Sequence, residues 1–320
     1  MISENSPKVS VIIINYNSGS FTIQCVKSII DLTKEIKNFE IIIVDNNSKE
    51  EDFICLEALQ EIPQVKIIRS KINLGFSGGN MLGVQHASYD ASFYFFLNND
   101  CVLINDVIST LAAFLLNNPS VGLVTGQMYS ANMQRQSSFG HYPSIGAILL
   151  GHSFMRIFNT EMFRSNKTEY QQPVSIPYAT GSAMFVKAEY FASIGGFDTN
   201  YFLFCEEEDI CRCLQKRGWK IYLAPEAKFI HYGGASTQRD LAVDKEFYIS
   251  YLYFIRKHYG YLSRTVLKLL YAIKLFRKLY KDVKFAKLSF FVFKNAPMKE
   301  SLRFKQVLSL SQGRSSADIP

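Results

Sequence analysis

The chain has 320 residues, 48% of them apolar and 20% charged, enough to bury one large core or two smaller ones and too apolar for a disordered chain. No run approaches the roughly 20 uncharged apolar residues of a membrane span, and MISENSPK at the start carries an acid and polar residues where a secretory leader has basic and apolar ones. The net charge of +7 is uneven: residues 256–305 hold fourteen Lys and Arg against Asp282 and Glu300, which leaves the rest of the chain at −5.

In chain order, short β-branched runs alternate with helical periods. Residues 9–17, 40–48, 65–70, 93–100 and 121–126 are apolar on both faces, as strands covered on both sides must be. Phe21, Cys25, Ile29 and Leu32 recur at helical spacing, and a second helix is predicted from about Gly78 to Ala87. Repeated strand–helix–strand units predict an α/β fold, a mostly parallel sheet with helices on both faces. Residues 129–178 show no sustained period and read as loops over a site. Strand patterns return within 179–191 and over 220–232, with a helix predicted between Glu207 and Arg217.

Six cysteines lie scattered without CxxC pairs, which predicts reduced thiols and a cytoplasmic compartment. Cys211 and Cys213 bracket one residue of a helix, so their thiols point apart and a zinc site is disfavoured.

Ligands of doubly wound sheets bind beyond the carboxyl ends of the strands. Three predicted strands end in polar residues there: Asn15, Tyr16 and Asn17; Asp45, Asn46 and Asn47; Asn98, Asn99 and Asp100. Asp45 suits hydrogen bonds to a ribose or base edge, and equally an Asx turn or helix cap. NYNSGS follows the first strand instead of GxGxxG, which disfavours a dinucleotide dehydrogenase. NLGFSGGN (73–80) brings three glycines to a helix entry where backbone amides can meet phosphate or sugar. Asp100 is a strand-end carboxylate that a divalent ion shared with phosphates would satisfy. The densest cluster is Glu206, Glu207, Glu208 and Asp209, readable as a solvated first turn or, if partly buried, as the source of a general base. His231 reads as a metal ligand or a core histidine.

In order and spacing, VSVIIINYN, IIIVDNNS, NLGFSGGN, FLNND, ATGSAMFVKAEYFASIGGFD, FCEEEDICRCLQKRGW and HYGGAS resemble the family-2 inverting glycosyltransferases of GT-A fold, particularly bacterial rhamnosyltransferase-like members. The resemblance covers residues 8–240 and implies a GT-A domain over 1–240, with 241–320 a basic, mainly helical extension. It implies donor contacts from Asn15, Tyr16, Asn17, Asp45, Asn73, Gly75, Gly79, Asn80, Asn98 and Asn99, and a Mg²⁺ or Mn²⁺ site at Asp100 completed by His231. It puts Glu207 at the position of the catalytic base, flanked by Glu206 and Asp209, where the family's usual motif has Asp instead of Glu207. The implied reaction is inverting sugar transfer from a nucleoside-diphosphate sugar, dTDP-rhamnose or a UDP-sugar, to a glycan or lipid-linked glycan in surface polysaccharide synthesis. The rival is a catalytically silent nucleotide-sugar- or polysaccharide-binding module of the same fold, against which the acids at 100, 206, 207 and 209 argue.

On a helical wheel Leu262, Val266, Leu269, Ile273, Phe276 and Tyr280 share one face, with Arg264, Lys268, Lys274, Lys278 and Lys281 opposite. This basic amphipathic helix predicts an anionic membrane surface as partner through 256–305, at the inner face of the cytoplasmic membrane, with Phe290, Phe291 and Phe293 as further anchors. Leu267, Tyr271 and Leu275 interrupt the polar face and leave docking on the catalytic body as the alternative. No nucleic-acid motif accompanies the charge.

Overall fold

The computed structural model describes residues 7–233 and 240–309, so Gly234, Ala235 and Ser236 of the HYGGAS motif lie outside the described residues. Its elements are β1 (Lys8–Asn15), α1 (Gly19–Leu32), β2 (Phe39–Asp45), α2 (Glu50–Glu57), β3 (Val65–Arg69), α3 (Gly75–His86), β4 (Ala91–Asn98), β5 (Cys101–Leu103), α4 (Val107–Asn117) and β6 (Val121–Tyr129). There follow β7 (Phe139–Gly140), α5 (Ile145–Leu150), α6 (His152–Phe158), β8 (Val174–Ser175), β9 (Tyr178–Ala179), β10 (Ala183–Lys187) and α7 (Ala188–Ser193). The last are α8 (Glu206–Lys216), β11 (Lys220–His231), α9 (Leu241–Phe276) and α10 (Lys284–Phe293).

Continuous apolar runs make strands here because both faces are covered. Val9, Val11 and Ile13 of β1 enter one core with α1 and α4, whereas Ile12 enters the other with Ile42, Val44, Phe191 and Leu214. Each such side chain contributes about 1.5–3 kcal/mol on burial. The sheet order is β3-β2-β1-β4-β10-β6-β11-β5, with β8 beside β11. The parallel expectation holds for β3-β2-β1-β4 and for β6-β11. Elsewhere the sheet is mixed: β10 runs antiparallel to both β4 and β6, and β5 antiparallel to β11. The polar strand ends Asn15 and Asp45 are register partners, as are Ile14 and Asn98. They therefore open on one edge of the sheet.

The stretch read as loops holds α5, α6 and the strands β7, β8 and β9. The C-terminal helices are not a detached extension. A third core joins Tyr142, Tyr201 and Cys205 of the body to Ile249, Phe254, Leu267, Leu275, Leu288 and Val292. α9 breaks at Gly260, whose φ is +82°, a left-handed conformation that glycine adopts without a Cβ penalty. Beyond the break Leu267, Ala272 and Leu275 are buried while Leu262, Leu269, Ile273, Phe276 and Tyr280 are exposed. The residues that interrupted the polar face are thus the ones that dock.

Candidate functional site

A cavity of about 490 Å³ lies where β1 and β4 end, lined by Tyr16, Asn46, Asn73, Gly75, Phe76, Asn80, Asn98, Asn99, Asp100 and His231, with Phe202, Leu203, Val243, Leu302 and Gln306 opposite. Asn46 organises one wall. Its amide nitrogen donates to Asn73 Oδ1 and to the Gly75 carbonyl, both at 3.0 Å, and its oxygen accepts from the Leu74 amide. Gly75 is required: its φ is +71°, and a Cβ there would sit 2.1 Å from the Phe202 carbonyl oxygen. The Phe76 amide donates to that same carbonyl at 2.7 Å, which ties the entry of α3 to the loop before α8.

Asp100 is 5% exposed, and its Oδ1 lies 3.2 Å from His231 Nε2. β11 pairs with β5 so that His231 is opposite Cys101, which brings Asp100 and His231 together across 131 positions of chain. His231 is the carboxylate's partner among the described residues, and both residues line the cavity. An oxygen and an imidazole nitrogen beside open space suit Mg²⁺ or Mn²⁺. Cys101 Sγ is near both but does not fit: burial first, then Asp100, pushes its pKa well up, and it donates to the Ser182 carbonyl at 3.4 Å.

Several residues expected at the donor lie elsewhere. Asn15 and Asp45 are fully buried and do not line the cavity. Asn15 Nδ2 donates to Asp45 Oδ1, Ser48 Oγ and Asp52 Oδ2, while Asp45 also accepts from the Ser48 amide and meets Arg69 Nε at 3.6 Å. Asp45 is therefore consumed in an Asx-type turn that holds the strand ends in register. Asn17 is exposed, has a φ of +50°, and accepts from the Lys49 amide. Gly79 packs α3 on Ile14 of β1. Asn99 lines the cavity but spends its amide on Ser18 Oγ and Thr22 Oγ1, at 2.7 and 2.8 Å. Asn46, Phe76, Phe202, Val243, Leu302 and Gln306 went unassigned in the sequence. Of these, Asn46, inside the strand-end motif, and Phe76, inside NLGFSGGN, lay within motifs the sequence singled out.

The acidic cluster opens α8 through two successive left-handed residues, Phe204 (φ +73°) and Cys205 (φ +67°). Such residues cost about 1–3 kcal/mol each and persist where the surroundings impose them. The turn drives three carboxylates inward. Glu206 is buried, Glu207 and Glu208 are partly exposed, and each has an Oε2 without a partner. Burial is the main cause that raises all three above the ordinary carboxylate range; the charge of Glu207 adds to it at Glu206 and Glu208. Glu207 accepts from the Gly181 amide, and a Cβ on Gly181 would lie 3.7 Å from both its carboxyl carbon and the ring of the cavity-lining Phe76. Glu207 itself does not line the cavity.

Asp209 is not at the site. It is 2% exposed and meets His258 Nε2 at 2.6 Å, Lys257 Nζ at 2.8 Å and Tyr201 OH at 3.0 Å. Lys257 reaches Asp198 as well, at 2.8 Å. This network fastens α8 to α9 and leaves Asp209 no lone pair for a substrate proton.

Comparison with known proteins agrees with this architecture. The family model described as Glycosyl transferase family 2 matches residues 10–195. The chain is 26% identical over 216 residues to the N-acetylglucosaminyl-diphospho-decaprenol L-rhamnosyltransferase of Mycobacterium tuberculosis, which covers 63% of this chain and 69% of that one. It is 22% identical over 232 residues to rhamnosyltransferase WbbL of Escherichia coli, covering 70% and 83%. Among solved structures it resembles GalNAc-T7 with UDP, GalNAc and Mn²⁺ (TM-score 0.58, 17% identity, 95% of this chain and 58% of that chain). It also resembles the mannosyltransferase PcManGT of Pyrobaculum calidifontis with GDP-Man and Mn²⁺ (TM-score 0.55, 14% identity, 93% and 83%). The matched span runs from β1 through α7 and takes in the Asn46 wall and Asp100, and on that ground the chain belongs to glycosyltransferase family 2.

Proposed function

We propose that the chain transfers one sugar from a nucleoside-diphosphate sugar to a hydroxyl of a glycan or lipid-linked glycan, with inversion at the anomeric carbon. The observation that carries this reading is Asp100 beside His231 at the sheet edge, both lining the cavity. The rhamnosyltransferases it resembles support a deoxyhexose donor such as dTDP-rhamnose, and the decaprenol-linked substrate in one relative's name supports a lipid-linked acceptor. All six cysteines are free, in keeping with the reducing cytoplasm where this reading puts the chain.

In this mechanism Tyr16, Asn73 and Asn80 contact the nucleotide, and the apolar wall of Phe202, Val243 and Leu302 excludes water that would hydrolyse the donor. Asp100 and His231 would hold Mg²⁺ or Mn²⁺, which when bound neutralises charge on the departing diphosphate. Glu207 accepts the acceptor's hydroxyl proton as that oxygen bonds to the anomeric carbon and the bond to the diphosphate breaks. A carboxylate raised by burial is the stronger base.

Incubation with a panel of nucleotide sugars and acceptors, reading diphosphate release and product anomer by NMR, tests the reading. Glu207→Gln is expected to lose about 10²- to 10⁴-fold in turnover with donor affinity kept. Retention of the donor's anomeric configuration, or near-native turnover in that variant, overturns the mechanism.

A further inference from the structure

The docking of α9 leaves one of its faces with nothing packed on it. Leu262, Leu269, Ile273 and Phe276 follow one another at intervals of seven, four and three residues, a single stripe on a helix, and Tyr280 continues it past the helix end. All five are exposed, Leu262 by 77% and Tyr280 by 80%. A second set comes from the region read as loops: Leu149 and Leu150 end α5, and Phe154, Ile157 and Phe158 lie on α6, all exposed. The Phe154 and Phe158 rings stand 5.4 Å apart. Single exposed apolar residues are ordinary. Here two groups of five lie on neighbouring elements. Ile148 of α5 packs against the core that contains Leu267, Ala272 and Leu275 of α9. After burial and the charges of His141 and Arg156, that of Lys274 also lowers the pKa of His152 at the start of α6.

Charge selects the occupant. Lys274, Arg277, Lys278 and Lys281, in the same segment as the stripe, and Lys287 on α10 have no carboxylate partner among the described residues. A second copy of the chain, meeting this face about a two-fold axis, would set like charges against each other. A polynucleotide would satisfy the lysines and leave Leu, Ile and Phe uncovered. An anionic lipid surface satisfies both, with phosphates at the ammonium groups and acyl chains around the stripe.

We propose that α5, α6 and the outer face of α9 beyond Gly260 form one surface that lies on an anionic bilayer. This goes beyond sugar transfer and does not depend on which sugar is moved. The surface would hold the chain beside an acceptor carried on a lipid.

The test is sedimentation of the full chain with vesicles of phosphatidylcholine alone or mixed with phosphatidylglycerol. Binding is expected only with the anionic lipid and is expected to fall with salt. Lys274→Gln with Lys278→Gln should lower partitioning roughly thirtyfold, the scale set by two charges near an anionic surface. Ile273→Ser with Phe276→Ser on α9, and Ile157→Ser with Phe158→Ser on α6, should each weaken it with melting temperature and donor hydrolysis unchanged, while Tyr89→Ser on a distant loop should not. Failure of the intact chain to bind anionic vesicles at low salt overturns the proposal. So does an α6 variant that binds as the native chain does, or sedimentation as a dimer that Phe276→Ser dissociates.

Discussion

Two neighbouring carboxylates of α8, Glu207 and Asp209, separate two kinds of work, and substitution distinguishes them. Asp209→Asn removes the charge that Lys257 and His258 face, which at a buried pair costs about 3 kcal/mol. Chemical denaturation should show that loss. Asp100→Asn is expected to keep the fold and sharply weaken Mn²⁺-dependent nucleotide binding, read by calorimetry with and without the metal. The three glutamates that open α8 set a pH dependence whose sign follows from burial. Their folded pKa values are raised, so the folded state binds more protons than the unfolded chain, and stability falls as pH rises from the ordinary carboxylate range through the raised values. Glu206→Gln, which removes the most deeply buried of them, should raise the melting temperature by a few degrees at about pH 8 and much less at about pH 5.

At the scale of elements, the C-terminal segment does more than pack. Leu302 and Gln306 line the cavity, the Asn47 side-chain amide donates to the Val307 carbonyl at 3.2 Å, and the Ser309 amide donates to the Lys71 carbonyl at 2.7 Å. The segment therefore straps the ends of β2 and β3 beside the cavity. Ending the chain at Lys305 is expected to weaken nucleotide binding about tenfold, the size of one or two net hydrogen bonds, with the melting temperature nearly unchanged. Calorimetric titration with nucleoside diphosphates checks it. β1 through β4 and α1 were legible because their apolar periods are long and uninterrupted. α5 and α6 were not, since six and seven residues span barely two turns, and Gly151 between them breaks any period.

For the whole molecule, the third core makes body and C-terminal helices one cooperative unit. Phe254 is fully buried there, its ring stacked at 10° on Tyr142 and 4.8 Å from His258. Phe254→Ala is expected to cost about 3–5 kcal/mol and to shift a single unfolding transition rather than split it. Deleting residues 256–320 would uncover this core, so the surface substitutions above are the cleaner probe of membrane binding. Of the aromatic anchors expected in the tail, Phe290 and Phe293 are exposed, but Phe291 is 6% exposed and belongs to the core.

The sequence by itself determined the long strands β1 to β4, β6 and β11, the α/β class, the strand-end polar motifs and the acidic start of α8, because period and local residue type are properties of short stretches. Tertiary structure decided which of those polar groups meets the cavity. Asp45 and Asp100 both close apolar strands, yet one is consumed by Asn15, Ser48 and Arg69 while the other keeps free lone pairs beside His231. It also decided which stripe of α9 is covered, since a helical wheel shows two faces and not which one the rest of the chain will reach. Long-range packing supplies that choice, and burial then decides which carboxylates are raised above their ordinary range.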